Sequence, residues 1–378
     1  MKPKLLIITT ISRTIRDFTI PYIRHFKSLG WQVDGMALDI SNNDECTSEL
    51  DNVWEIQWSR NVFDPRNFFR GASRVREVVA LENYDLVHVH TPIAAFVTRY
   101  ALKDFEKPKV IYTAHGFHFY HGGNPIKNAV FLNLEKIAAP WTDYLVTINQ
   151  EDTATAKQHN LLPEEKIIYT PGIGLDLEAY NPNRVSEAEI DDVRSELGIA
   201  MGDSVLLSIA EFSPNKRHQD QLIALKNLNR PNVHLVCAGY GVTEAKVQEL
   251  AEQLGLKQQV HFLGHRQDIP ALICASDAIL LTSQREGLPR CIMEAFCAAK
   301  PVIGTKIRGI QDLLCDDCGL LIEVGDTKAL TNAIGEVINC PDIAERIGRN
   351  GRQKIAAYDV REILKIYVDI FSRALSDN

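Results

Sequence analysis

Short, almost unbroken apolar runs alternate along this chain with stretches in which apolar residues recur every three or four positions. Seven such runs in the first half read as strands: Leu5–Thr10, Val33–Leu38, Val53–Trp58, Leu86–Thr91, Lys109–His115, Tyr144–Ile148 and Lys166–Thr170. Six more follow at Val205–Ala210, Val233–Ala238, Val260–Leu263, Ala278–Leu281, Pro301–Gly304 and Leu320–Val324. Helical spacing between them predicts helices over Phe18–Leu29, Phe68–Leu81, Ala94–Lys103, Lys127–Ala138 and Asp152–His159, then Gln219–Leu228, Thr243–Leu254, Ile269–Ala275 and Lys328–Ile338. Strands that are apolar throughout are buried on both faces, and a strand–helix alternation makes their sheet parallel. The pattern breaks between Gly172 and Gly202, where Asn181-Pro182-Asn183 and the acids Glu187, Glu189, Asp191 and Asp192 suggest a connection with a short helix. The reading is an α/β chain with two doubly wound halves: residues 1–178, a linker over 179–202, and residues 203–358. In the closing segment, 359–378, Ile363, Leu364, Tyr367, Ile370 and Phe371 share one helix face. That helix either packs across the domain junction or caps the second domain.

Composition narrows the class. At 378 residues the chain is too long for one compact core and suits two domains. A formal charge of −8 argues against a general nucleic-acid binder, which would carry a basic surface. No run approaches the roughly 18–20 apolar residues of a membrane span. The opening Lys4–Ile8 run is too short for a signal peptide, so a cytoplasmic protein is expected. Of eight cysteines, Cys237, Cys274, Cys291 and Cys297 sit in apolar patterns as small core residues, which suits a reducing compartment. Cys315 and Cys318 form a lone C-x-x-C without a second pair, so neither metal nor redox cofactor is expected from them.

In doubly wound sheets ligands bind beyond the carboxyl ends of the strands, which selects the candidate residues. The densest stretch is Ser283–Ala299, a strand, a tight turn with Glu286 and Gly287, and then a helix carrying Glu294. Pro289 suits the first helical position, and the free amides that follow favour a phosphate, while the carboxylates suit sugar hydroxyls. Lys216 and Arg217, adjacent cations at a helix start, suit a diphosphate, although a solvated helix start explains them too. The first turn, Thr9 to Phe18, has no glycine and fails the dinucleotide pattern; Arg13 and Arg16 there either reach an anionic ligand or lie on the surface. Ala114-His115-Gly116 puts an imidazole at a strand end, with His118 and His121 at three-residue spacing but no carboxylate or cysteine to complete a zinc site. His88 and His90 share a strand face, and at least one of them reads as structural. Between Trp54 and Arg76 aromatic and basic residues mix, with Arg66, Arg70 and Arg74 four apart. That stripe fits either contact with an anionic membrane surface or a solvated face.

These motifs together make the chain resemble the family 4 glycosyltransferases of the GT-B class, in the bacterial branch that builds exopolysaccharide, capsule and lipid-linked glycans. The resemblance rests on Glu286-x7-Glu294 with its Glu-Gly-Leu-Pro core, Thr113-Ala-His-Gly116 with Phe-His-Phe-Tyr, Phe262-Leu-Gly264 with Asp268-Ile-Pro, Pro301-Val-Ile-Gly304 with Gly309-Ile, and Gly319-Leu-Leu-Ile. It implies two facing Rossmann-like domains with a deep interdomain cleft, the first for the acceptor and the second for a nucleotide sugar. Glu286 would hold donor-sugar hydroxyls, Glu294 the ribose, and the backbone of Gly287, Leu288, Pro289 and Arg290 the sugar and phosphates. Lys216 matches the diphosphate lysine, and Gly264, His265 and Arg266 fall in the donor region. His115 matches a histidine near the donor sugar, while Arg13, Arg16 and His118 fall on the acceptor side. Where the family carries a diphosphate arginine this chain has Glu211, so either Arg217 replaces it or one contact is missing. The implied reaction is retaining, metal-independent transfer of a hexosyl or N-acetylhexosaminyl group from a UDP-sugar to a saccharide, lipid-linked acceptor, at the inner membrane face. The competing readings are a UDP-sugar epimerase and a non-catalytic nucleotide-sugar-binding protein.

Overall fold

The computed structural model describes residues 2–59 and 64–377; Arg60 and Phe63 of the mixed aromatic and basic run lie outside them. The chain divides into two compact units, one running to Gly174 and taking in the segment from Val360, the other spanning Leu175–Asp359.

The first unit holds a seven-stranded sheet of β1 (Lys4–Ile11), β2 (Gln32–Leu38), β3 (Val53–Glu55), β4 (Leu86–His90), β5 (Lys109–Ala114), β6 (Tyr144–Thr147) and β7 (Ile167–Tyr169). Their order is β3-β2-β1-β4-β5-β6-β7, and every pairing is parallel. One face packs Leu6, Ile8, Val87 and Val89 against Val75, Val78, Val97 and Ala101 of the helices Ala72–Glu82 and Pro92–Leu102. The other packs Leu5, Ile7, Val33 and Leu86 against Tyr22 and Phe26 of Ile20–Ser28 and against the final helix, Val360–Ser376. Tyr367 meets Tyr22 edge-on at 4.9 Å, and Phe371 stacks on Phe26 at 4.8 Å. The closing helix, expected at the junction or on the second domain, thus completes the core of the first unit.

The second unit holds β8 (Ser204–Ile209), β9 (Val233–Ala238), β10 (Val260–Phe262), β11 (Ala278–Leu281), β12 (Val302–Thr305) and β13 (Leu320–Ile322), in the parallel order β10-β9-β8-β11-β12-β13. The interval read as a linker is part of this unit. Its helix Glu187–Glu196 starts with a capping box on Ser186 and Glu189, and Leu175, Val193 and Ile199 enter the unit's core. In both units the order reverses beside the first strand, the switch point at which such sheets present their ligand sites.

Candidate functional site

In the second unit the neighbouring strands β8 and β11 bring two loops together. After β8 the chain makes a 3-10 turn over Pro214–Lys216 and then starts the helix His218–Leu228. The turn is stitched to the loop after β11: Gln284 N donates to Asn215 O at 2.8 Å, Asn215 Nδ2 to Arg285 O at 2.9 Å, and Thr282 Oγ1 to Lys216 O at 3.0 Å. Two glycines after β9 let this loop settle, because a Cβ on Gly239 or Gly241 would stand 2.0 Å from Ala210 O or 2.4 Å from Phe212 O.

This stitching joins Lys216 to Glu286. The Lys216 ammonium lies 2.5 Å from Glu286 Oε1, and the two side chains are only 20% and 13% exposed. Burial works against the ammonium, but Glu286, with smaller help from Cys291 and Glu211, raises the lysine pKa above its usual value. Arg217, next in the chain, sits in the left-handed region at φ 50° and gives its guanidinium to Asp220, at 2.6 and 2.9 Å. The two adjacent cations therefore have separate employments: Lys216 faces Glu286 and Arg217 pins the helix start. His218, stacked on Phe212 at 4.2 Å, stays neutral, its pKa lowered to about 4 by burial and by Lys216.

The turn from Glu286 to Pro289 is held from behind by the loop after β12. Thr305 Oγ1 donates to Ser283 O at 2.6 Å and Arg308 Nε to Glu286 O at 3.2 Å. Gly309 packs so closely that a Cβ there would meet Gly287 O at 2.1 Å. Leu288 packs partly buried against the core. Pro289, expected at the first helical position, stands one place earlier as the N-cap (φ −76°, ψ 120°), and the helix runs Arg290–Cys297. Its N-terminal amides follow directly on the Glu286 turn, and its buried Glu294 takes Arg290 Nε at 3.3 Å. Tyr180, from the interval read as a linker, completes this group: burial raises its phenol pKa, the Glu294 carboxylate adds to the rise, and the Arg290 guanidinium opposes it.

The third donor segment divides. Gly264 makes a left-handed turn (φ 62°) and accepts Gly239 N at 2.8 Å, and His265 is exposed beside the Tyr240 ring. Arg266 is committed to Glu196 (2.6 and 3.0 Å) and Asp268 (2.8 and 2.6 Å), an arrangement that ties the helix Glu187–Glu196 to the loop after β10.

In the first unit the ends of β4 and β5 form a buried polar cluster. His88 and His90, two residues apart on one strand, share a face with ring centroids 4.0 Å apart. His88 Nε2 lies 2.8 Å from Thr113 Oγ1, which lies 2.9 Å from the Tyr367 hydroxyl. His90 Nδ1 lies 2.8 Å from His115 Nε2. Burial lowers the His88 pKa to about 3 and that of His115 to about 4. His118 is half-buried against Phe131, with ring centroids 5.0 Å apart. Arg13 and Arg16 both pair with Asp17, at 3.0 and 2.7 Å.

The basic stripe is partly neutralised. Arg66 chelates Asp64, Arg74 pairs with Glu77 and lies over Trp54, and Arg70 is exposed beside Phe69, itself 77% exposed. Among the described residues no group of three or more histidine, cysteine or acidic side chains could hold a metal ion, and no helix is long and apolar enough to cross a membrane.

The sequence pointed to Lys216, Glu286, Glu294 and His115: His115 follows β5 directly, Lys216 ends the turn between β8 and its helix, Glu286 lies in the loop after β11, and Glu294 lies in the helix that follows that loop. It gave no role to Arg308 or Tyr180, and no partner to His90. Tyr180 lies in a stretch without a motif and Arg308 directly before the Gly309-Ile pair, and only the folded neighbours reveal them.

Comparison with known proteins places this geometry. Residues 22–173 match the family described as Glycosyltransferase Family 4, and residues 189–354 match Glycosyl transferases group 1. The chain is 34% identical over 98% of its length, and 97% of the relative's, to the Bacillus subtilis (strain 168) protein named "Putative glycosyltransferase EpsD". It is 27% identical to the Escherichia coli UDP-Gal:alpha-D-GlcNAc-diphosphoundecaprenol alpha-1,3-galactosyltransferase, over 76% of each chain. Among solved structures, Anabaena Alr3699/HepE in complex with UDP-glucose superposes with a TM-score of 0.81 at 22% identity, over 98% of this chain and 99% of that one. With two Rossmann-like parallel sheets, a Glu-x7-Glu pair at a strand end and these matches along nearly its whole length, the chain belongs to the family 4 glycosyltransferases.

Proposed function

We propose that this glycosyltransferase moves a hexosyl or N-acetylhexosaminyl group from a UDP-sugar to a saccharide carried on a lipid, in the synthesis of a bacterial surface polysaccharide, with retention of anomeric configuration and without a metal ion. The observation that carries the reading is the Lys216–Glu286 pair, a cation and a carboxylate held at one strand end beside Glu294 and the amides of Arg290–Cys297. A diphosphate competes with Glu286 for Lys216, and the released carboxylate then accepts from sugar hydroxyls while Glu294 takes the ribose. As the sugar–phosphate bond breaks, negative charge grows on the diphosphate; Lys216 and the helix amides stabilise it where it develops. His115 donates to the substrate, and Arg13, Arg16 and His118 serve the acceptor. The relatives support this reading through their names: one acts on a diphosphoundecaprenol-linked sugar with UDP-Gal, and a structural neighbour holds UDP-glucose.

A thermal-shift panel of UDP-glucose, UDP-galactose, UDP-N-acetylglucosamine and UDP-N-acetylgalactosamine tests the donor, and UDP release that requires an added acceptor tests transfer. Epimerisation without acceptor, or binding without turnover, would replace the transferase reading. Attachment to anionic membrane through Arg66, Arg70 and Arg74, with Phe69 beside them, belongs to the same proposal. Replacing the three arginines by glutamine should lower sedimentation with phosphatidylglycerol vesicles; unchanged sedimentation returns the stripe to a solvated helix face.

A further inference from the structure

His115 and His90 can share their 2.8 Å contact in only a few ways. Burial keeps both rings neutral, His115 with a pKa of about 4 and His90, where the His88 and His115 rings add to the effect, well below its usual value. A hydrogen bond between two neutral imidazoles needs one N–H and one lone pair. The choice falls to the far side of His90. That residue is 3% exposed, and its Nε2 is buried without a hydrogen-bond partner among the described residues. A proton on Nε2 would leave a buried N–H unpaired, the rarer and costlier defect, whereas an unpaired lone pair is tolerated more cheaply. His90 therefore keeps its proton on Nδ1 and donates it to His115 Nε2. With Nε2 occupied as an acceptor, neutral His115 must carry its own proton on Nδ1, the ring nitrogen that His90 does not engage.

We infer that His90 is a positioning residue that fixes His115 as an Nδ1–H donor, so that His115 meets the substrate by giving a hydrogen bond to an oxygen and not as a base through Nε2. The inference rests on the proposed reading of His115 as a substrate contact. The surrounding contacts fit a fixed device. His90 is wedged against the His88 ring, and His88 is held through Thr113 to the Tyr367 hydroxyl of the final helix. The pair thus has little freedom to exchange tautomers by turning a ring. His115 packs against Phe18 at 5.8 Å, which limits it further.

Long-range proton–nitrogen correlation spectra of the full chain, labelled with 15N-histidine, read the tautomer directly, with His115→Gln identifying the His115 signals. Nδ1 of His115 is expected protonated and Nε2 bare, with the same pattern in His90. A protonated Nε2 on His115 overturns the inference, whatever the activity. Turnover gives the second arm, with the UDP-sugar that shifts melting most in the panel above as probe. His90→Phe keeps a ring and removes the donor; His90→Asn keeps an amide N–H close to the Nδ1 position. The Phe variant is expected to lower kcat roughly tenfold with KM little changed, and the Asn variant to recover most of the loss. Equal losses in the two variants make His90 a packing residue and overturn the inference. Wild-type turnover in His115→Gln removes His115 from the site instead, a separate failure that leaves the tautomer to be read from the spectra.

Discussion

The Lys216–Glu286 pair sets the first expectations at the scale of single residues. Each partner is mostly shielded from water, so the pair neutralises two groups that would otherwise be costly to leave alone. A diphosphate offers Lys216 more negative charge than one carboxylate does, and the exchange frees Glu286 for hydroxyls. Lys216→Ala should therefore weaken UDP binding by about 1.5–3 kcal/mol, the range for a charged hydrogen bond, as calorimetry would show. Glu286→Ala should behave differently, with turnover falling far more than UDP affinity. A loss of UDP affinity equal to that of Lys216→Ala would move Glu286 to the diphosphate. Arg217 is a third case. It holds a left-handed backbone that costs a side-chain-bearing residue on the order of 1 kcal/mol, and its guanidinium is chelated by Asp220. Arg217→Gly relieves the backbone and loses the ion pair, so stability should move little and UDP affinity should stay within about twofold. A tenfold loss of UDP affinity there would show that Arg217 leaves Asp220 to take the place of the arginine that Glu211 displaces.

Among elements, the helix Val360–Ser376 argues most clearly. It follows the second unit in sequence, yet its buried face lies in the first unit's core, with Phe371 stacked on Phe26. Phe371→Ala should cost about 3–5 kcal/mol, and the loss should fall on the first unit. Hydrogen exchange would then quicken at β1 and β4 amides while β8 and β11 keep their protection. Quickening at β8 instead would assign the helix to the other core. The strands themselves were legible because burial on both faces leaves no polar alternation to confuse them. The helix Pro341–Lys354 was not, since its buried face is Ile347, Gly348 and Gly351: Gly348 touches Ala299 O and Gly351 the Phe296 ring so closely that no apolar side chain could fit. A contact made by absent side chains leaves no periodic signal. The candidate site was legible as residue types expected beyond strand ends, which is what singles out Glu286 and Lys216 in the sequence. Their ion pair was not, because it joins positions 70 apart and depends on β8 lying beside β11.

For the molecule as a whole, the buried imidazoles tie stability to pH. In the unfolded chain a histidine takes up its proton near pH 6.5. In the fold His88 stays neutral until about pH 3 and His115 and His218 until about pH 4, in each case chiefly because burial opposes the charge. Between those limits the unfolded state holds more protons than the folded one, so stability rises with pH through the interval and is lost as pH falls. Above pH 6.5 both states are neutral at these rings and they add no slope. At pH 5 each fully buried imidazole should have cost about 2 kcal/mol. Lowered carboxylate pKa values, such as those of Glu49 with Arg24 and Glu196 with Arg266, act in the same direction but only where carboxylates titrate, nearer pH 4. The window from pH 6.5 to 5 therefore belongs to histidine. Urea unfolding at pH 7, 6 and 5 should show a falling midpoint, and His88→Gln should flatten that fall because glutamine takes up no proton in either state. The same slope in wild type and variant would mean that His88 is reached by water or by a counter-charge, and that the cluster behind His115 is not the dry, neutral device its geometry describes.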